Sequence, residues 1–131
     1  MSGTKHVFSR QLFASSAPFS HLVSYDGLGY VAGIIGQRRD TGALISNDVA
    51  EQAQAMFDNL ETLFAEVDVA IEAVLRTTIY LTDYADFQVI NNVYRERLRA
   101  PYPARTTVQV VALPLDARVQ IDAIVAIPQH R

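Results

Sequence analysis

Cysteine is absent from the 131 residues, and lysine occurs once, at Lys5. Without cysteine the chain forms no disulfide, presents no thiolate nucleophile and holds no thiolate-ligated zinc. Positive charge is scarce as well. The formal net charge is -3, and the arginines are scattered, with Arg38-Arg39 and Arg95/Arg97/Arg99 as the only local groupings. Nucleic-acid affinity comes largely from Lys and Arg displacing counterions from phosphates, so this balance excludes a nucleic-acid partner. Nowhere do about eighteen apolar residues follow one another, and Met1 to His6 lacks an apolar run of signal-peptide length. The expectation is a cytoplasmic protein with no membrane association. The three histidines, His6, His21 and His130, are far apart and read as surface or loop residues, so no metal site is expected. Gly33-Ile34-Ile35-Gly36 lacks the third glycine and the helix start of a phosphate cradle and reads as a turn, which leaves no sign of a cofactor.

What remains is the composition of a packed domain: 50% hydrophobic residues, 19% charged, and neither glycine nor proline in excess. Residues 1–131 make one domain, long enough to bury roughly two-thirds of the unfolded surface. Between His21 and Ile35, two apolar stretches (Leu22 to Tyr25, Tyr30 to Ile35) flank Asp26-Gly27, a hairpin pattern. After the Asp40-Thr41-Gly42 turn, Asn47 or Asp48 can cap a helix, with Glu51 at the third position of a capping box. Val49, Ala53, Met56, Phe57, Leu60, Phe64 and Val67 then share one helical stripe. Ala73 to Thr82 reads as a buried strand ending at Asp83, which is expected to cap a second helix with Phe87, Ile90, Tyr94 and Leu98 on its apolar face. Pro101 and Pro103 end that helix, and Thr106 to Leu113 and Arg118 to Ile127 read as strands joined across Pro114-Leu115. The predicted order is β-β-α-β-α-β-β, with one more short strand near His6 to Arg10. Two helices cover only one face of such a sheet, so an apolar second face implies association.

Two charges stand on these greasy last strands. With the turn centred at Pro114-Leu115, Thr107 lies opposite Asp122, and Arg105 is its diagonal neighbour about 7 Å away. One reading pairs Arg105 with Asp122 as a structural salt bridge. The other has Arg105 offer its planar fork to a substrate carboxylate, with Asp122 moving protons through a water. Asn91 places an amide on the apolar stripe of the second helix, where it either ties helix to strand or supports a site.

The stretch Pro103-Ala104-Arg105-Thr106-Thr107-Val108-Gln109-Val110-Val111-Ala112-Leu113-Pro114 resembles the signature of the RidA/YjgF family of reactive-intermediate deaminases. Asp48 to Gln52 with Asn59-Leu60, and Thr77 to Asp83 with Asp86-Phe87, Asn91 and Tyr94, resemble the family in the same order and spacing, so that the likeness runs from about Pro18 to Ile127. The resemblance implies a chorismate-mutase-like α+β fold, with a mixed sheet and two helices packed on one face. It also implies a homotrimer with an inner barrel and three sites in the clefts between subunits.

In deaminating members the arginine at the Arg105 position grips the carboxylate of a 2-enamine or 2-imine acid. Water then attacks the imine carbon to give a keto acid and ammonia. The acid at the Asp122 position is normally a glutamate, one methylene longer. Phe19 stands where the best-known branch has tyrosine, Ala32 where it has serine, and Thr107 where it has cysteine. The resemblance thus implies a cofactor-free hydrolase with Arg105 and Asp122 as catalytic residues and Phe19, Ala32, Asn91 and Thr107 binding a small carboxylate substrate. Two alternatives stand beside it: a non-catalytic binding protein for small carboxylates, and a pathway-specific deaminase of a larger, aminomuconate-like substrate.

Overall fold

The structure, a computed structural model, describes residues 3–128, so the expectation for His130 lies outside them. Strand β1 (Lys5–Val7) is the short additional strand, slightly ahead of its expected place, and pairs antiparallel with β2 (Leu22–Tyr25). Asp26 and Gly27 take φ of 52° and 84°. Positive φ at both central residues is what a type I′ hairpin turn needs, and it leads directly into β3 (Leu28–Ile34). Gly33 and Ile34 belong to that strand, and Gly36 lies where any side chain would run into the backbone of Gln52. The Gly33 to Gly36 segment is therefore a strand end in close approach to a helix, not simply a turn.

That helix, α1 (Val49–Glu66), is capped by Asp48, whose Oδ2 accepts the Glu51 N–H at 2.9 Å. Only this half of the capping box forms, because the Asp48 N–H goes to Ser46 Oγ. Strand β4 (Val74–Leu81) follows, then a 3-10 turn at Tyr84–Asp86, and α2 (Phe87–Arg97). Asp83 caps the 3-10 turn by accepting from Ala85 N, and α2 itself begins without a side-chain cap. The expectation that Asp83 caps α2 is corrected by this inserted turn.

The last two strands, β5 (Ala104–Gln109) and β6 (Val119–Ala126), are not neighbours. The sheet order is β1-β2-β3-β6-β4-β5, with β5 parallel to β4 and β6 antiparallel to it. Parallel strands cannot be joined by a tight turn, and α2 is the crossover that joins β4 to β5. The segment from Val110 to Arg118 then passes over the end of β4, where Val110 N donates to Leu81 O and Thr82 N to Arg118 O. The expected β5–β6 hairpin, with Thr107 opposite Asp122, is thus overturned: Thr78 of β4 lies between them, paired with Thr106 on one side and Asp122 on the other.

Both helices lie on one face of the sheet. Met56, Phe57, Leu60, Leu63 and Ile90 meet Ile79, Leu81, Ile121 and Val125 in one core, all of them essentially inaccessible. Among the described residues the other face has no covering layer of helices, which leaves Tyr25 and Tyr30 about half exposed, at 52% and 47%. Among the described residues no helix is long and apolar enough to cross a membrane.

Candidate active site

Register decides which way each candidate points. Arg105 pairs with Thr77, whose buried hydroxyl meets the Tyr94 hydroxyl of α2 at 2.8 Å. Arg105 therefore faces the helices, and its Cζ sits 4.7 Å from the centre of the Tyr94 ring and 5.7 Å from that of Phe87. Stacking of this kind holds a guanidinium in place without using its donors. No carboxylate lies within ion-pair distance of it among the described residues. Arg105 lines a cavity of about 240 Å³ with Asn91, Tyr94, Arg95, Tyr102 and Pro103. Burial pushes the Tyr94 hydroxyl above its ordinary value, against its bond to Thr77 and the charge of Arg105.

Asp122 occupies the opposite face. Its strand neighbours Ile121 and Ala123 point into the core, while Asp122 accepts a hydrogen bond from Tyr80 Oη at 2.7 Å. That bond raises the Tyr80 hydroxyl's pKa, with burial adding to the effect. Arg105 and Asp122 within one chain therefore neither pair nor face a common volume, and both sequence-based readings of their proximity are corrected. The misplacement follows from the assumed hairpin, because inserting β4 separates them by a strand and the register sets them on opposite faces.

The other candidates divide in the same way. Asn91 joins Arg105 in its cavity and makes no side-chain hydrogen bond among the described residues, so the tie between α2 and the sheet is Tyr94 to Thr77 instead. Thr107, two residues beyond Arg105, shares its face and is half-buried. Phe19 and Ala32 line a second and larger cavity of about 580 Å³ with Leu12, Phe13, Ile35 and Gln120, near the end of β3 and the start of β6.

His21 also lines this larger cavity, although its sequence position reads as a loop residue. The ring packs edge-on against Phe19 at 5.5 Å, and its Nδ1 accepts the Ser9 N–H at 2.9 Å. With Nδ1 an acceptor, the neutral ring carries its proton on Nε2. Burial lowers the His21 pKa from its ordinary 6.5, opposed by the charge of Glu66. Alternation of Phe19 and His21 with β2 is the sequence signal that could have found it.

The candidate residues thus divide within one chain: Arg105 and Asn91 line one cavity, and Phe19 and Ala32 line the other. The family described as Endoribonuclease L-PSP matches residues 9–127, nearly the whole described chain. The chain belongs to this family, the RidA/YjgF family. It is 34% identical over 111 residues to Reactive Intermediate Deaminase A, chloroplastic, of Arabidopsis thaliana, a match that covers 85% of this chain and 59% of that protein. The chain spans about three-fifths of that relative's length. It is 34% identical over 107 residues to human 2-iminobutanoate/2-iminopropanoate deaminase, covering 82% of this chain and 78% of the human one. Among solved structures it is similar to TdcF of E. coli with bound serine, with a TM-score of 0.84, 26% identity and coverage of 93% and 98%. The RidA/YjgF membership accounts for the α+β architecture and for the helices lying on one face.

Proposed function

We propose that this RidA/YjgF chain is an enamine/imine deaminase, hydrolysing a reactive 2-enamine or 2-imine carboxylic acid to a keto acid and ammonia. The observation that carries the reading is Arg105, a half-buried guanidinium fixed by two aromatic rings and left without a carboxylate among the described residues. A substrate carboxylate supplies the missing partner in bidentate geometry. Relatives named as iminobutanoate/iminopropanoate and reactive-intermediate deaminases, and a neighbour solved with bound serine, support the same chemistry. The net charge of -3 speaks against RNA as the substrate.

In this reading the chain acts as a homotrimer. The Arg105 cavity of one copy is completed by the open face of its neighbour, which brings the neighbour's Asp122, Phe19 and Ala32 to the bound imine. Water adds to the carbon of the C=N bond. Asp122 accepts a proton from that water and returns it to the nitrogen, giving a carbinolamine; it then carries the hydroxyl proton to the amine, the C–N bond breaks as the C=O bond forms, and ammonia leaves. Tyr80 fixes the Asp122 carboxylate from below. Asn91 and Thr107 bound the arginine side of the site.

The test generates 2-iminoacids in situ with an amino-acid oxidase and follows ammonia release above the spontaneous rate. The parent is expected to accelerate release. Asp122→Asn should bind keto acids yet release ammonia far more slowly. No acceleration by the parent on any iminoacid, with keto-acid binding intact, would make the chain a carboxylate-binding protein instead.

A further inference from the structure

The cavity beside Arg105 holds a second cation. Arg95 reaches it from α2 with Asn91 and Tyr94, while Arg105 reaches it from β5. Asn91 and Arg95 are one helical turn apart, so their side chains stand one above the other on the same face. Among the described residues no aspartate or glutamate lines the cavity. Arg95, like Arg105, has no carboxylate within ion-pair distance among the described residues. One long hydrogen bond, 3.3 Å to Asn92 Oδ1, leaves most of its donors free. The next arginines along the chain are different: Arg97 is held by Asp58 and Glu61, and Arg99 lies 3.8 Å from Glu72. Two guanidinium groups on one cavity of about 240 Å³ repel each other. A ligand with negative charge at both ends relieves that repulsion at both arginines.

We propose that this cavity selects a dianionic substrate: an imine or enamine acid carrying a second carboxylate at the far end of its side chain. Arg105, half-buried on a strand and stacked on two rings, holds the carboxylate beside the reacting carbon. Arg95, exposed on the helix, holds the distal one at the solvent side. The proposal rests on Arg105 as the carboxylate anchor and adds a charge requirement that the anchor alone does not impose.

Two keto acids of equal chain length separate charge from size: 2-oxoglutarate has a distal carboxylate where 2-oxopentanoate has a methyl group. Titrated calorimetrically into the full chain at low salt, the dicarboxylate should bind roughly tenfold more tightly, as one additional charge-assisted contact gives. Arg95→Gln should bring that ratio to within about twofold of unity, and Arg95→Lys should retain part of it. Arg39→Gln, at a surface arginine bonded to Gln11, should leave the ratio at its parental value, which excludes a general field effect. Equal binding of the two acids by the parent, or a ratio unmoved by Arg95→Gln, overturns the proposal while Arg105 keeps its anchoring role. Parental binding of both acids by Arg105→Lys overturns the anchor, and the proposal with it.

Discussion

A guanidinium stacked on Tyr94 and Phe87 and left without a counter-ion among the described residues combines fixed position with available donors, which is what gripping a carboxylate requires. Arg105→Lys keeps the charge and loses the two-point grip. Its kcat/KM should fall by about one to two orders of magnitude, with an unchanged circular dichroism spectrum; parental turnover would remove the anchoring role. His21 makes a prediction in pH. Burial holds its imidazole below the ordinary 6.5, so the unfolded chain takes up that proton more readily than the folded one. The stability it contributes is present above 6.5 and is lost as pH falls through the lowered value. Urea unfolding at about pH 7.5 and about pH 5.5 should show a larger loss in the parent than in His21→Gln, which still offers Ser9 an acceptor but cannot titrate. Equal losses would mean that His21 is not linked to folding. Sequence position made Arg105 recognisable and read His21 as a surface or loop residue; it does lie just before β2, but backbone bonds to Val7 of β1 and Ala32 of β3 draw it in, a long-range effect at which only its alternation with β2 hints.

At the level of elements, local signals were legible and long-range pairing was not. Asp26-Gly27 specifies its own turn through two positive φ values, and the stripe from Val49 to Phe64 specifies the face of α1. Nothing in Thr106 to Leu113 distinguishes a strand paired with its successor from one paired, through a helical crossover, with its predecessor. That ambiguity placed Arg105 and Asp122 on one face, whereas β4 between them sets them on two. The start of α1 was ambiguous by one residue, and the structure gives the cap to Asp48. Asp48→Ala should lower the stability of the chain by about 1 kcal/mol in urea unfolding, whereas Asn47→Ala should change it by only a few tenths. A larger loss from Asn47→Ala than from Asp48→Ala would assign the cap to the wrong residue.

For the molecule as a whole, the helices use one face of the sheet, and the other carries half-exposed tyrosines together with the Tyr80–Asp122 pair. Burial of that face by association is the expectation from the sequence. Light scattering should accordingly give about three times the 14.5 kDa chain mass at micromolar concentration, and a monomer mass would leave the face unexplained. The proposed mechanism requires more than association, because Arg105 and Asp122 can serve one substrate only when they come from different copies. Mixing subunits tests this directly: Arg105→Lys and Asp122→Asn chains, each nearly inactive alone, are unfolded together in equal amounts and refolded. Random assembly then joins an intact Arg105 to a neighbour's intact Asp122 at roughly one site in four. Ammonia release from the mixture should recover to about a quarter of the parental rate. A mixture as inactive as its two components, beside an active parent refolded in the same way, would contradict a site shared between copies.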